Sequence, residues 1–362
     1  MSRFWNENTK KIVPYTPGEQ PESLSETVKL NTNENPYGPS PKAAKALRTL
    51  DFDILKRYPN PDAKDAIRTF AKMNGLDEKN VFAGNGSDEV LAFSFKAFFD
   101  GKKKVYFPDI TYSFYSVYCD LFGVKYGTVP LKEDFYPDVD ALCNVKGGVV
   151  IANPNAPTSI GMPLEDVVKI IEAHKDDVVI VDEAYVEFGG ESAIGLIGRY
   201  DNLLVVRTMS KSYSLAGMRV GFAAGGSELI EGLNRVKNSF NSYTVDRLAC
   251  IAATESLKDE EYHKETLEKV VNTRDRVKKA LEKLGFEVKR SSANFLFATN
   301  KSINAADYYE YLKDHGILIR YFAKPGIDSF VRISIGTDDE MDKFLRETEV
   351  YLNEKSANRK KH

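Results

Sequence analysis

The chain has 362 residues, room for about two domains with an ample core. Its apolar content of 42%, charged content of 28% and net charge of -3 are those of an ordinary globular protein, with no electrostatic case for nucleic acid or a membrane surface. Three scattered cysteines (Cys119, Cys143, Cys250) and four histidines without ligand spacing argue against a disulfide framework and a metal site, and the lack of any signal-like or membrane-spanning run points to the cytoplasm.

Residues 1 to about 28 read as an arm punctuated by Pro14, Pro17, Gly18 and Pro21. Lys29-Leu-Asn-Thr-Asn-Glu-Asn-Pro-Tyr-Gly-Pro-Ser-Pro follows, a shaped loop because its prolines forbid regular structure; Asn31, Asn33 and Asn35 are turn formers or ligand contacts. Ser40 starts a helix with Pro41 in its first turn and Ala43, Ala44 and Leu47 within it, ending before Arg57-Tyr-Pro. The next helix begins near Pro61, carries Ala66, Ile67 and Phe70 on one face and stops at Asn74-Gly75.

Val81-Phe-Ala-Gly-Asn-Gly-Ser-Asp-Glu is a short strand, a glycine turn and the start of a helix from Ser87 to Phe99. The free N–H groups of Gly86, Ser87 and Asp88 at the helix start have the form of a phosphate site, although the stretch lacks both the third glycine of a dinucleotide fingerprint and the Gly-Lys-Ser/Thr of a P-loop. A strand from Lys104 to Phe107 leads to Tyr112, placed where a ring could stack on a planar ligand, and a helix through Cys119 follows. Further strands are expected at Val124 to Val129 and Gly148 to Ala152, the latter ending in the rigid loop Asn153-Pro-Asn-Ala-Pro-Thr that presents Asn155.

Four consecutive apolar residues, Val178 to Val181, fit a parallel strand buried on both faces, with Asp182 at its C-terminal end. The strand from Leu203 to Val206 runs toward Lys211, and eight positions on Arg219 opens another apolar run. A loop lysine is ordinarily solvated. Flanked by Ser210, Ser212 and apolar strands, it either snorkels to water or has its pKa lowered and serves as an amine nucleophile. Alternating strands and helices bring the Asp182 and Lys211 loops to one edge of a sheet. From Ser227 to about Leu284 the pattern is helical, and past Gly285 come strands at Phe286 to Lys289, Phe295 to Thr299, Ile317 to Arg320 and Phe330 to Ile335, with a helix from Ala305 to His315. In the last strand Val331, Ile333 and Ile335 share the buried face and Arg332 points the other way with Ser334. The tail ending Asn358-Arg-Lys-Lys-His362 reads as a solvated helix end.

A lysine, an aspartate, a phosphate cradle and an aromatic ring are what pyridoxal 5'-phosphate requires: a Schiff-base amine, an anion at the pyridine nitrogen, phosphate donors and a ring to stack on. The stretches Leu30 to Pro41, Arg57-Tyr-Pro, Gly84-Asn-Gly-Ser-Asp-Glu, Asn153 to Thr158, Val181-Asp-Glu-Ala-Tyr, Thr208 to Phe222 and Val331 to Thr337 resemble, in order, the motifs of the fold-type I aminotransferases, and among them the histidinol-phosphate aminotransferase family. The resemblance covers about Pro14 to Thr337. It implies an α/β fold: a large domain with a mostly parallel mixed sheet between helices, and a smaller α+β domain. The division expected is 1–40 for the arm and substrate loop, 41–260 for the cofactor domain and 261–362 for the small domain.

The resemblance also implies roles. Lys211 carries the internal aldimine, Asp182 pairs with the pyridinium, Tyr185 meets the ring oxygen and Tyr112 stacks on the ring. Gly86, Ser87, Asp88, Thr208, Ser210 and Arg219 hold the phosphate, and Tyr58 reaches the phosphate of the neighbouring subunit of a homodimer. Arg332 takes the substrate carboxylate, with Tyr15, Asn33 and Arg320 receiving a phosphorylated substrate. The implied reaction exchanges an amino group between histidinol phosphate and 2-oxoglutarate in histidine biosynthesis; a threonine-phosphate decarboxylase or an aromatic amino-acid aminotransferase of the same fold is the alternative. One position departs from the pattern. The family places Asn directly before Pro-Thr-Gly, whereas here Ala156 precedes Pro157-Thr158 and Ser159 stands for the glycine. Either Asn155 takes over the ring-oxygen contact or Tyr185 makes it alone.

Overall fold

In the computed structural model, residues 3–21 and 27–359 are described. Its strands in chain order are β1 (Val28–Lys29), β2 (Val81–Asn85), β3 (Val105–Pro108), β4 (Tyr126–Val129), β5 (Gly148–Ala152), β6 (Val179–Asp182), β7 (Leu203–Thr208), β8 (Val220–Gly225), β9 (Glu287–Val288), β10 (Phe295–Thr299), β11 (Ile317–Leu318), β12 (Arg320–Tyr321) and β13 (Phe330–Ser334). A seven-stranded sheet has the order β2-β8-β7-β6-β5-β3-β4. The strands from β7 to β4 are parallel, and β8 runs antiparallel to both β7 and β2. This is the mostly parallel mixed sheet expected of the α/β fold.

The unbroken apolar runs have their reason in two-sided burial. Val179 and Val181 of β6, with Leu203 and Val205 of β7, enter the core on one face. Ile180, Leu204 and Val206 enter the core on the other. Helices cover both faces, so none of these apolar positions reaches water. At the C-terminal ends of β5, β6 and β7 the chain leaves the sheet at Ala152, Asp182 and Thr208, all on one edge.

A second sheet, antiparallel and of order β12-β13-β10-β9, packs with helices Glu260–Lys283, Ala305–Asp314 and Asp338–Arg359 around its own core. Three details differ from the sequence reading. The N-terminal arm contains a helix, Glu7–Lys11, capped by the Asn6 side chain, and its β1 pairs in parallel with β11. The stretch 317–320 is therefore split: Ile317 and Leu318 pair with the arm, while Arg320 and Tyr321 pair with β13. The helix placed near Pro61 starts only at Lys64, because the Asn60 side chain accepts from Asp62 N at 2.9 Å and Ala63 takes a left-handed φ of 49°. Of the tail, residues 360–362 lie outside the described residues.

Candidate active site

The loops at the C-terminal sheet edge, the asparagine-rich loop after β1 and the strands β12 and β13 enclose one cavity of about 800 Å³. Its lining includes Asn33, Ser87, Asp88, Tyr112, Asp182, Tyr185, Thr208, Ser210, Lys211, Arg219, Arg320 and Arg332, together with Tyr15 of the arm. Tyr15 and Arg332, at opposite ends of the chain, thus meet in one space. Three of the expected residues are not in the lining. Gly86 lies beneath it with φ +80°, where an added Cβ would fall 2.4 Å from Arg219 Nη2, so glycine there is what lets the guanidinium cross the helix start. Tyr58 is 77% exposed on the surface and stacks on Tyr243 at 4.6 Å.

Asn155, expected at the cofactor, is buried just behind the lining residues Ile110 and Thr111. Its amide donates to Ile110 O and Thr158 Oγ1, both at 2.9 Å, and its oxygen accepts from Thr111 Oγ1 at 2.7 Å. These bonds engage both the amide and the oxygen of the buried side chain and brace the loop, and Ala156 is the neighbour that lines the cavity. Ser159, where the resembling pattern has glycine, takes φ 65°, so the backbone keeps the turn that glycine would favour.

Lys211 lies between β7 and β8, at the turn formed as the chain doubles back, and its Nζ donates to Thr32 O at 2.8 Å. Burial, followed by the charge of Arg332, lowers its pKa to about 8. Asp182 ends β6 and is almost wholly buried; burial raises its pKa to about 6, against the opposing hydrogen bond donated by Tyr115 Oη to Oδ2 at 2.9 Å. Tyr185 Oη accepts from Asn33 Nδ2 at 3.1 Å. Asn33 is held in turn by Ser334, whose Oγ donates to Asn33 Oδ1 and accepts from Asn33 N, each at 2.9 Å. Asn33 has φ 56° and Arg219 φ 53°, so both carry left-handed backbone strain at the site.

Tyr112 Oη donates to Asp88 Oδ1 at 2.7 Å, and Arg219 Nη2 reaches Asp88 Oδ2 at 3.0 Å. Helix Gly86–Phe98 begins here without a side-chain cap, leaving the positive end of its dipole toward Ser87 and Asp88. Arg332 donates through Nη2 to Asn31 O at 2.7 Å, while its buried Nε has no partner among the described residues. Burial lowers the pKa of Arg332 but leaves the guanidinium a cation at neutral pH.

This donor set fits pyridoxal phosphate. A helix start with Arg219, Thr208 and Ser210 suits a dianion, a buried carboxylate suits a ring cation, and a desolvated lysine suits an aldehyde. At the far end, an arginine with an unpartnered N–H suits a carboxylate or phosphate ester. Tyr115 and the Thr32 carbonyl escaped the sequence reading. Tyr115 lies in an aromatic run that reads as core, and three residues after Tyr112 was its only signal; a backbone carbonyl leaves none.

Comparison with known proteins agrees. The family model for aminotransferase class I and II matches residues 25–347. The chain is 53% identical over 345 residues to the histidinol-phosphate aminotransferase of Clostridium acetobutylicum, covering 95% of this chain and 98% of that one. It is 51% identical over 346 residues to that of Brachyspira hyodysenteriae, with coverage of 95% and 98%. Among solved structures, the histidinol-phosphate aminotransferase of Sinorhizobium meliloti in complex with pyridoxal-5'-phosphate superposes with a TM-score of 0.87 at 25% identity, covering 98% of this chain and 99% of that one. The chain belongs to the class I and II aminotransferases.

Proposed function

We propose that the protein is a pyridoxal-phosphate-dependent aminotransferase that exchanges the amino group of histidinol phosphate with 2-oxoglutarate in histidine biosynthesis. The observation that carries this reading is the pairing, in one cavity, of a lysine amine with its pKa lowered to about 8 and a buried arginine whose Nε has no protein partner. The relatives at about half identity over nearly the whole chain support the choice of substrate.

Bound pyridoxal phosphate supplies the electron sink that makes the substrate Cα–H acidic. Lys211 Nζ would hold the cofactor, and its lowered pKa keeps much of the amine in the neutral, basic form near pH 8, able to take and return the Cα proton. Asp182, positioned by Tyr115, would keep the ring nitrogen protonated. With Asn155 engaged in its own loop, Tyr185, fixed by Asn33, would be the residue left to meet the ring oxygen. Thr208, Ser210, Arg219 and the helix start at Ser87 would hold the cofactor phosphate, and Tyr112 would stack on the ring.

The exchange demands that one pocket accept a carboxylate in one half-reaction and a phosphate ester in the other. An arginine fork pairs with either anion, and Arg332 and Arg320 both face the cavity. The exposure of Tyr58 supports a homodimer in which it reaches the partner's phosphate site. Single-turnover spectra test the reading. Histidinol phosphate and glutamate should each bleach the cofactor absorbance of the holoenzyme, and 2-oxoglutarate should restore it. Bleaching by phenylalanine alone, or carbon dioxide release from phosphothreonine without bleaching by glutamate, would overturn it.

A further inference from the structure

Behind Lys211, on the side away from the cavity, the chain turns Ser212 into the protein, where it is 1% exposed. Its carbonyl accepts from Asn35 Nδ2 at 3.2 Å, but its hydroxyl has no partner among the described residues. Two other buried polar atoms share that condition and that space: Ser256 Oγ on helix Arg247–Leu257 and His263 Nε2 on helix Glu260–Lys283. All three residues line one small cavity, with about 10 Å³ of room for the centre of a water molecule, about what a single water needs.

Ser256 shows that this convergence is no accident of helix geometry. A helical hydroxyl has a ready partner in the carbonyl four residues back, and Ser94 and Thr254 both use it, each at 2.7 Å. Ser256 forgoes that bond and faces the cavity. The His263 ring is fixed by stacking on Tyr213, with centroids 3.9 Å apart and planes 3° from parallel, and burial lowers its pKa, which favours the neutral imidazole. Leaving three polar atoms unsatisfied in the interior is costly, and native proteins resolve such clusters with ordered water that makes about three hydrogen bonds.

We propose that Ser212 Oγ, Ser256 Oγ and His263 Nε2 bind one internal water that ties the Lys211 loop to the two helices behind it. Two hydroxyls and one imidazole nitrogen match the two donors and two acceptors of water, whichever tautomer the ring adopts. Ser256 and His263 are then positioning residues: they touch neither cofactor nor substrate, but through the water they fix the residue next to Lys211. This catalytic consequence rests on the function proposed above, whereas the water itself does not.

A crystal structure of the holoenzyme at a resolution that shows ordered solvent tests the site. One water peak within about 2.7–3.2 Å of all three atoms is expected; direct bonds among the three side chains, or no peak, would overturn it. Kinetics of two variants separate positioning from packing. Ser256→Val fills the space and displaces the water, so kcat for transamination should fall about tenfold with KM for glutamate nearly unchanged, short of the ~100-fold that gross misplacement costs. Ser256→Ala leaves room for the water and should lose less. Overpacking by valine would give the same order but would act through the stability of the fold, so denaturant melts accompany the kinetics: a fall in kcat that only tracks a loss of stability, or an alanine variant slower than the valine one, would contradict the proposal. An enzyme with no transamination at all would sink the function and leave the crystallographic result to decide the water.

Discussion

Lys211 is a charge held where charge is expensive. Its pKa, lowered to about 8 by burial and by Arg332, means that folding without cofactor works against the charged form. A depressed lysine contributes stability that is present above its ordinary pKa near 10.5 and is lost as pH falls through about 8. Lys211→Met in the cofactor-free protein is therefore expected to be more stable than the parent below pH 8, by an amount of order 3 kcal/mol, with the gain vanishing toward pH 10.5; denaturant melts at pH 7 and pH 10 measure it. A gain that does not change with pH would show that Lys211 is not desolvated in solution. Arg332 is the other costly charge. Truncating it to alanine should lower kcat/KM for glutamate and for the phosphorylated substrate by about 2–5 kcal/mol in each case, the range for removing a buried charge partner. Removing its field should also move the onset of cofactor loading to higher pH. Unchanged kcat/KM for both substrates would remove Arg332 from the site.

Strands β6 and β7 do two things at once, because alternate residues face opposite ways. Asp182 and Thr208 face the cavity, while their neighbours Glu183 and Arg207 turn to the rear and meet there, with Arg207 Nε 2.7 Å from Glu183 Oε2. Arg207 also bonds Glu187 and, at 2.9 Å, Ser192 Oγ. Burial works against the Arg207 charge, but Glu187 and Glu183 outweigh it and keep the guanidinium protonated. Arg207→Met would leave the buried Glu183 and the half-buried Glu187 without their partner and should destabilise the fold by about 3–5 kcal/mol, read from denaturant melts; a loss under about 1 kcal/mol would mean the cluster is solvated. At this scale the sequence was readable where a physical rule has one solution. The unbroken apolar runs at 178–181 and 203–206 announced two-sided burial, and Asp182 at a strand end announced a site. It was not readable where partners are distant. Nothing local to Ile317 says that it pairs with Val28, and Asn155 could be recognised as a bracing residue only once Thr111 and Ile110 were seen beside it.

The whole molecule makes its site by closing one sheet edge with a second sheet and with the arm, so Tyr15, Lys211 and Arg332 face one space. No described helix is long and apolar enough to cross a membrane. Tyr58, exposed beside Tyr243, is the residue that a single chain leaves without a site. If it serves the partner's phosphate site, Tyr58→Ala and Lys211→Ala are each inactive or nearly so as homodimers. Mixed after dissociation and reassembly, they should regain activity, because one site in each hybrid receives an intact lysine and an intact tyrosine. No recovery in hybrids shown to have formed would place Tyr58 outside the site. If the reaction is built around one lysine amine, borohydride reduction of the holoenzyme followed by peptide mass mapping should place a pyridoxyl group on Lys211 alone; a label on another lysine, or none, would show that Lys211 does not hold the cofactor.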